Sequence, residues 1–239
     1  METEERFQTH AGPSLLMLSV VHTLLFFASL AAIALLRKGS GLAAMLSLNP
    51  YGPAEAARNF FAGNPQAVRV SAFFLFGSAI PLGIYAATIV SRLRFLGVRA
   101  AGSYIAHFGG LAASGALAVA ALCLWVLSVP EASASLSVTR ALHFLSFLLG
   151  GTAFAAGFGL LAAGVSVTSY FARLLPRWLV WFGLVIAVAG ELSTLSLVAL
   201  PMTFAIPITR FGGFVWLIAA GASMPKTVGK NRIDTKREE

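Results

Sequence analysis

Six unbroken apolar stretches, each near the length of a bilayer crossing, constrain this chain more than any other feature. They run Ser14–Leu36, Val70–Val90, Ser103–Ser128, Ala141–Val167, Trp178–Val198 and Thr209–Met224. A hydrocarbon core about 30 Å thick takes roughly 20 helical residues to cross. A β-barrel would keep every second residue of its short segments polar, whereas Leu, Ala, Phe and Gly run on here without alternation. The expected fold class is therefore all-α: a polytopic membrane protein with six transmembrane helices in one bundle. Charged residues make up 11% of the 239. Soluble domains carry about 25%, so too few charges are present to coat a water-facing surface.

The expected organisation is a short N-terminal segment (residues 1–13), a six-helix domain (14–224) and a basic tail (225–239), with both termini in the cytoplasm. The net charge of +8 sits mostly at the ends of the apolar stretches. That placement fits the orientation rule and anionic headgroups better than nucleic acid. Membrane lipids are the expected partners, and a homo-oligomer or membrane-protein partner stays open. With the N-terminus inside, the inner segments hold eleven Lys and Arg and the outer ones six. The acidic start Met1–Arg6 lacks the basic opening of a signal peptide, so the first stretch reads as a retained helix. Cys123 has no partner for an internal disulfide, and no metal-ligand motif occurs.

Proline and glycine punctuate the connections. Pro53, Ala54–Phe61 and Gly63 predict a short interfacial helix on the outer face, with Phe60 and Phe61 dipping into the interface. Leu42 to Leu48 adds an apolar run ahead of it. Asn64-Pro65 predicts an N-cap and first position for the second span, which Pro81 should kink. Pro130–Ser137 reads as a short polar connection, and Pro176 starts the fifth helix. Pro201 and Pro207 predict a short sixth helix beginning near Ile208, and the basic tail is expected to be disordered or to lie on headgroups. Small residues recur every four positions in Gly151, Ala155, Gly159 and Ala163, and in Gly110, Ser114 and Ala118. Such faces let helix backbones approach closely, and packing inside the bundle is the first reading of both.

Two features carry a family resemblance. One is Leu174-Leu-Pro-Arg-Trp-Leu-Val-Trp-Phe-Gly183, a basic turn leading straight into a helix. The other is the layout of the first hundred residues. Together they resemble a family of bacterial six-helix integral membrane proteins of unknown function. The resemblance implies a bacterial inner-membrane bundle and brings no catalytic residues.

Ionisable groups inside a membrane usually face a partner or a cavity. Glu191 is the one acid within an apolar stretch, in the outer half of the fifth helix, with Thr194 one turn on. Arg210 opens the sixth helix, and Arg140 and His143 open the fourth. The expectation is one outer layer in which Glu191 pairs with Arg210 or Arg140. It would act as a structural ion pair, a site for an anionic headgroup, or a proton relay. His22 lies about 12 Å into the first helix and His107 about 6 Å into the third. They are candidate b-type haem ligands, with Gly109, Gly110 and Ala112 making room, set against the plainer reading of hydrogen-bonded core histidines. No cofactor is otherwise expected. No zinc-protease, phosphate-loop, dinucleotide or nucleophile-elbow motif occurs. The leading functional expectation is a non-enzymatic bundle that binds a lipid or small amphiphile, or stabilises a partner. The alternatives are a small proton-coupled transporter using Glu191 and a haem-binding electron carrier using His22 and His107.

Overall fold

Nearly every stretch that is apolar in sequence is helical in the computed structural model, which describes residues 7–38 and 49–229. Six spans are long and apolar enough to cross a membrane: Leu15–Leu36, Pro65–Phe95, Ala101–Leu127, Leu136–Ala172, Arg177–Leu197 and Leu200–Ser223. The first is α1 (Leu15–Leu36), where the Ser14 hydroxyl accepts from the Met17 N–H and so satisfies one free donor of the first turn. α2 (Ala54–Gly63) is the short helix expected after Pro53. α3 (Pro65–Phe95) and α4 (Ala101–Leu127) are the second and third spans. A one-turn α5 (Pro130–Ala134) stands where a plain connection was expected. The fourth span is built from α6 (Leu136–Leu148), a π turn (Leu149–Ala153) and α7 (Phe154–Ala172). α8 (Arg177–Leu192) runs into a 3-10 turn (Ser193–Leu197). A second 3-10 turn (Leu200–Phe204) leads into α9 (Ala205–Ser223).

Spans adjacent in sequence pack side by side, and α9 returns to α1, so the six form a closed ring. Small residues set the closest approaches. Gly110 lies against Ala86, and Ser114 lies against Gly83 and donates to the Ala79 carbonyl, so that stripe of α4 seats α3. Gly159 and Ala155 seat Gly190 of α8. A further small-residue seam joins α4 to α7, with Gly157 against Gly109 and Gly164 against Gly102. A Cβ on Gly164 would lie 2.3 Å from the Gly102 carbonyl oxygen, so backbone meets backbone there. The outer surface is apolar, with Leu24, Phe73, Phe108, Val185 and Val215 exposed on five different helices. Ser19, Ser29, Ser71, Ser78 and Ser166 are buried. That inverted arrangement suits a lipid solvent, where polar side chains find partners only inside.

Several local expectations change. The sixth span is not short: its 3-10 turn and α9 together cover 24 residues, because Pro207 falls in the first turn of α9, where its missing N–H is not needed. The fourth is longer than expected, at 37 residues, or roughly 55 Å at 1.5 Å per residue. Its extra outer turns, in α6, pack on α2. Phe60 and Phe61 are buried there with Ala57, Val68 and Leu127 rather than dipping into the interface. Asn64 is not a side-chain cap for α3. Its Nδ2 donates to the Phe60 carbonyl and its Oδ1 accepts from the Lys38 N–H, which ties the end of α1 to the α2–α3 corner. α3 runs on past Pro81. The neighbouring Ser78 and Ala79 carbonyls accept side-chain donors from other helices, His22 Nδ1 at 2.8 Å and Ser114 at 2.7 Å.

The described chain ends also meet. β1 (Phe7–Thr9) pairs antiparallel with β2 (Thr227–Gly229), Thr9 opposite Thr227. The His10 N–H extends the pairing to the Lys226 carbonyl at 2.9 Å. Both ends of the bundle therefore lie on one face, here called the terminal face. The start of the basic tail is a strand rather than free chain. The apolar run Leu42–Leu48 and the remainder of the tail lie outside the described residues.

Candidate functional site

The four residues expected in one outer layer occupy three separate places. Glu191 is exposed on the outward face of α8, beside exposed Val188, Leu192 and Leu195, and makes no ion pair with Arg210 or Arg140. The reason is helical register. Neighbouring Gly190 must face α7, where a Cβ would lie 2.5 Å from the Ala155 carbonyl oxygen, and that turns Glu191 away from the bundle.

Arg140 stays at the outer end of the fourth span. Its Nη1 donates to the Gly52 carbonyl at 3.0 Å, and its guanidinium lies 5.2 Å from the centre of the Phe144 ring. His143, one turn on, is buried, with the Phe61 ring edge-to-face at 5.1 Å. These contacts fasten α2 onto α6.

Arg210 lies deeper than expected. α9 begins five residues before it, and its guanidinium sits 4.9 Å from the Phe26 ring and 4.5 Å from the Phe154 ring. Phe26 is midway along α1 and Phe154 midway along the fourth span, so the charge rests near mid-depth. Nη2 donates to the Gly150 carbonyl. Gly150 belongs to the π turn, whose widened backbone pattern frees carbonyls from the regular ladder. Two quadrupole faces and one carbonyl thus replace the acid that was expected to neutralise Arg210.

His22 is 1% exposed, with Nδ1 donating to the Ser78 carbonyl at 2.8 Å and its ring edge-on to Phe214 at 5.4 Å. That is the hydrogen-bonded core histidine. His107 is not brought to it: α1 packs on α3 and α9, whereas α4 packs on α3 and α7, so α3 stands between them. The glycines beside His107 leave no room for a macrocycle. Gly109 is filled by Gly157 and Leu160, and Gly110 by Ala86.

Three surface grooves stand out among the described residues. One of about 300 Å³ lies between α3 and α4, lined by Arg69, Phe73, Phe76, Leu122 and Trp125 among others. Arg69 is held at its rim by Ser128, with Nε to the hydroxyl at 3.3 Å, and lies 6.0 Å from the Trp125 ring. A second, of about 640 Å³, is lined by Ala54, Leu136, Ser137, Arg140, Ala141 and Phe144. A third, of about 460 Å³ on the terminal face, carries Arg173 and Arg177 beside Tyr170, Phe171 and Pro176. Arg173 has φ 54, the one non-glycine residue of positive φ among those described, a position Gly or Asn occupies more cheaply. Each groove has at least one arginine and no acid in its lining. In the sequence, Arg69 counts among the six outer basic residues and Arg173 and Arg177 among the eleven inner ones; their pairing with aromatics at span ends is the available clue.

Fold and surface together define a multi-pass α-helical membrane protein. Comparison with protein-family models, with characterised proteins and with solved structures finds no match to this chain.

Proposed function

We propose that this chain is a non-enzymatic protein of a bacterial inner membrane, both termini cytoplasmic, that retains anionic lipids in arginine-rimmed grooves on its surface. One observation carries the reading: each of the three grooves has a guanidinium and no acid in its lining, and the Arg69 and Arg140 grooves are mostly apolar. An anionic lipid offers the complementary pair, a phosphate for the arginine and an acyl chain for Phe73, Phe76 and Leu122. Charge near the headgroups adds about 1 kcal/mol per arginine, and cation–π contacts hold Arg69 and Arg140 in place. The excess of basic residues on the terminal side supports the orientation.

Native mass spectrometry of the detergent-purified protein tests this reading. Phosphatidylglycerol should be retained over phosphatidylcholine, and the Arg69→Gln, Arg140→Gln double variant should lose most of that preference. Equal retention of both lipids by the unaltered protein would overturn it.

A further inference from the structure

Arg92, three residues before the end of α3, is 1% exposed, yet its Nε and Nη1 have no partner among the described residues. Its Nη2 reaches only the Pro13 carbonyl, at 3.5 Å. His10 sits at the same corner. Its Nε2 is 3.0 Å from the Ser91 hydroxyl, its ring is edge-on to Phe95 at 5.5 Å, and its buried Nδ1 has no partner among the described residues. The segment that carries His10 is fixed from both sides. The His10 N–H holds the Lys226 carbonyl at 2.9 Å, and Gly12 folds so closely over the imidazole that a Cβ would lie 2.5 Å from His10 Cε1.

No acid answers these groups among the described residues. Their acids are Glu55, Glu131 and Glu191, all toward the opposite face, while Arg94, Arg99, Arg173, Arg177 and Lys226 surround the terminal face. The α1 N-terminus, capped by Ser14 next to Pro13, adds its partial positive charge. Burial, and then the Arg92 charge, push the His10 imidazole below its ordinary range. A desolvated guanidinium with free donors, beside a second free ring nitrogen and with no counter-charge among the described residues, is an environment that calls for an anion.

We propose that Arg92 and His10 hold a phosphate group at the terminal face, beneath the paired strands β1 and β2. A phosphate offers more acceptor oxygens than a carboxylate to donors that come from two elements, Arg92 of α3 and His10 of the segment before α1. The level of the site, at the end of a spanning helix, is also that of lipid phosphates. The phosphate is either a headgroup or a free ion. This site is separate from the grooves and stands or falls without them.

Full-length protein in uncharged detergent would be titrated with inorganic phosphate while the melting temperature and the His10 ring-nitrogen NMR shifts are followed. In parallel it would be placed in phosphatidylcholine nanodiscs with and without phosphatidylglycerol. A response to inorganic phosphate assigns a free ion, and a response to phosphatidylglycerol alone assigns a headgroup. Either should be at least tenfold weaker in Arg92→Gln. His10→Ala lies outside the bundle and should weaken it severalfold, which keeps the test informative if Arg92→Gln does not fold. The proposal fails if neither source moves the His10 signals. It also fails if the variants respond like the unaltered protein. It fails too if a response appears only after the six acids outside the described residues, Glu2, Glu4, Glu5, Asp234, Glu238 and Glu239, are changed to their amides, which would show that the chain's own acids fill the site.

Discussion

Arg210 and Arg92 are both drawn into the bundle, and they are solved in different ways. Arg210, near mid-depth, has two phenylalanine faces and the Gly150 carbonyl, with Nε alone left without a partner among the described residues. Arg92, close to the terminal face, has one distant carbonyl and two nitrogens without a partner among the described residues. The deeper charge, which should be the harder to keep, is the better provided for. A cation whose field is absorbed by its own fold is part of the scaffold. One left open at the interface points to something the chain meets from outside.

The contrast can be broken most directly at Arg210. Arg210→Ala should lower stability by about 3 kcal/mol, from the void and the stranded Gly150 carbonyl, in thermal or denaturant unfolding, with or without phosphate. Next comes Arg92→Met. In phosphate-free detergent it should raise stability by about 1 kcal/mol, because an uncompensated buried charge is removed, and phosphate should reverse the order of variant and unaltered protein. A loss comparable to that of Arg210→Ala would show that Arg92 is satisfied within the chain. A smaller effect sharpens the Arg210 half: a double-mutant cycle of Arg210→Met with Phe154→Leu should give a coupling of about 1 kcal/mol.

The smallest effect is the pH response of the strand pair. His10 is held below its ordinary value in the docked state, so the undocked chain binds more protons. Arg92 faces it from α3 and the Lys226 carbonyl from the β2 side. Docking is therefore full above the usual histidine range and weakens as pH falls through about 6.5. The His10 amide, which donates to the Lys226 carbonyl, should lose severalfold in exchange protection between neutral and mildly acid buffer, once the intrinsic slowing of exchange by acid is divided out. Bound phosphate, which favours protonated His10, should flatten or invert that trend.

Much of the scaffold was legible because its causes are local. Length and unbroken apolarity mark the six spans, and Pro53, Gly63 and Pro65 bound α2 and open α3. The errors arise where local punctuation yields to packing. Pro207 reads as a break but falls where a helix tolerates proline. Leu136 and Ser137 read as the end of a polar connection, yet they are helical at the start of α6, on which α2 packs. The three-residue strands leave no pattern to read. Arg92 did leave a trace, since it follows buried Tyr85 and Ile89 on the inward register of α3.

The sequence by itself determined the solvent, the number of crossings and the common side of the two ends, since these depend on runs of neighbouring residues. Only the tertiary structure decided which charges are neutralised. Arg210 meets a carbonyl 60 residues away and Arg92 one 79 residues away. A group's electrostatic surroundings are set by residues that are close in space, and no local pattern along the chain records them.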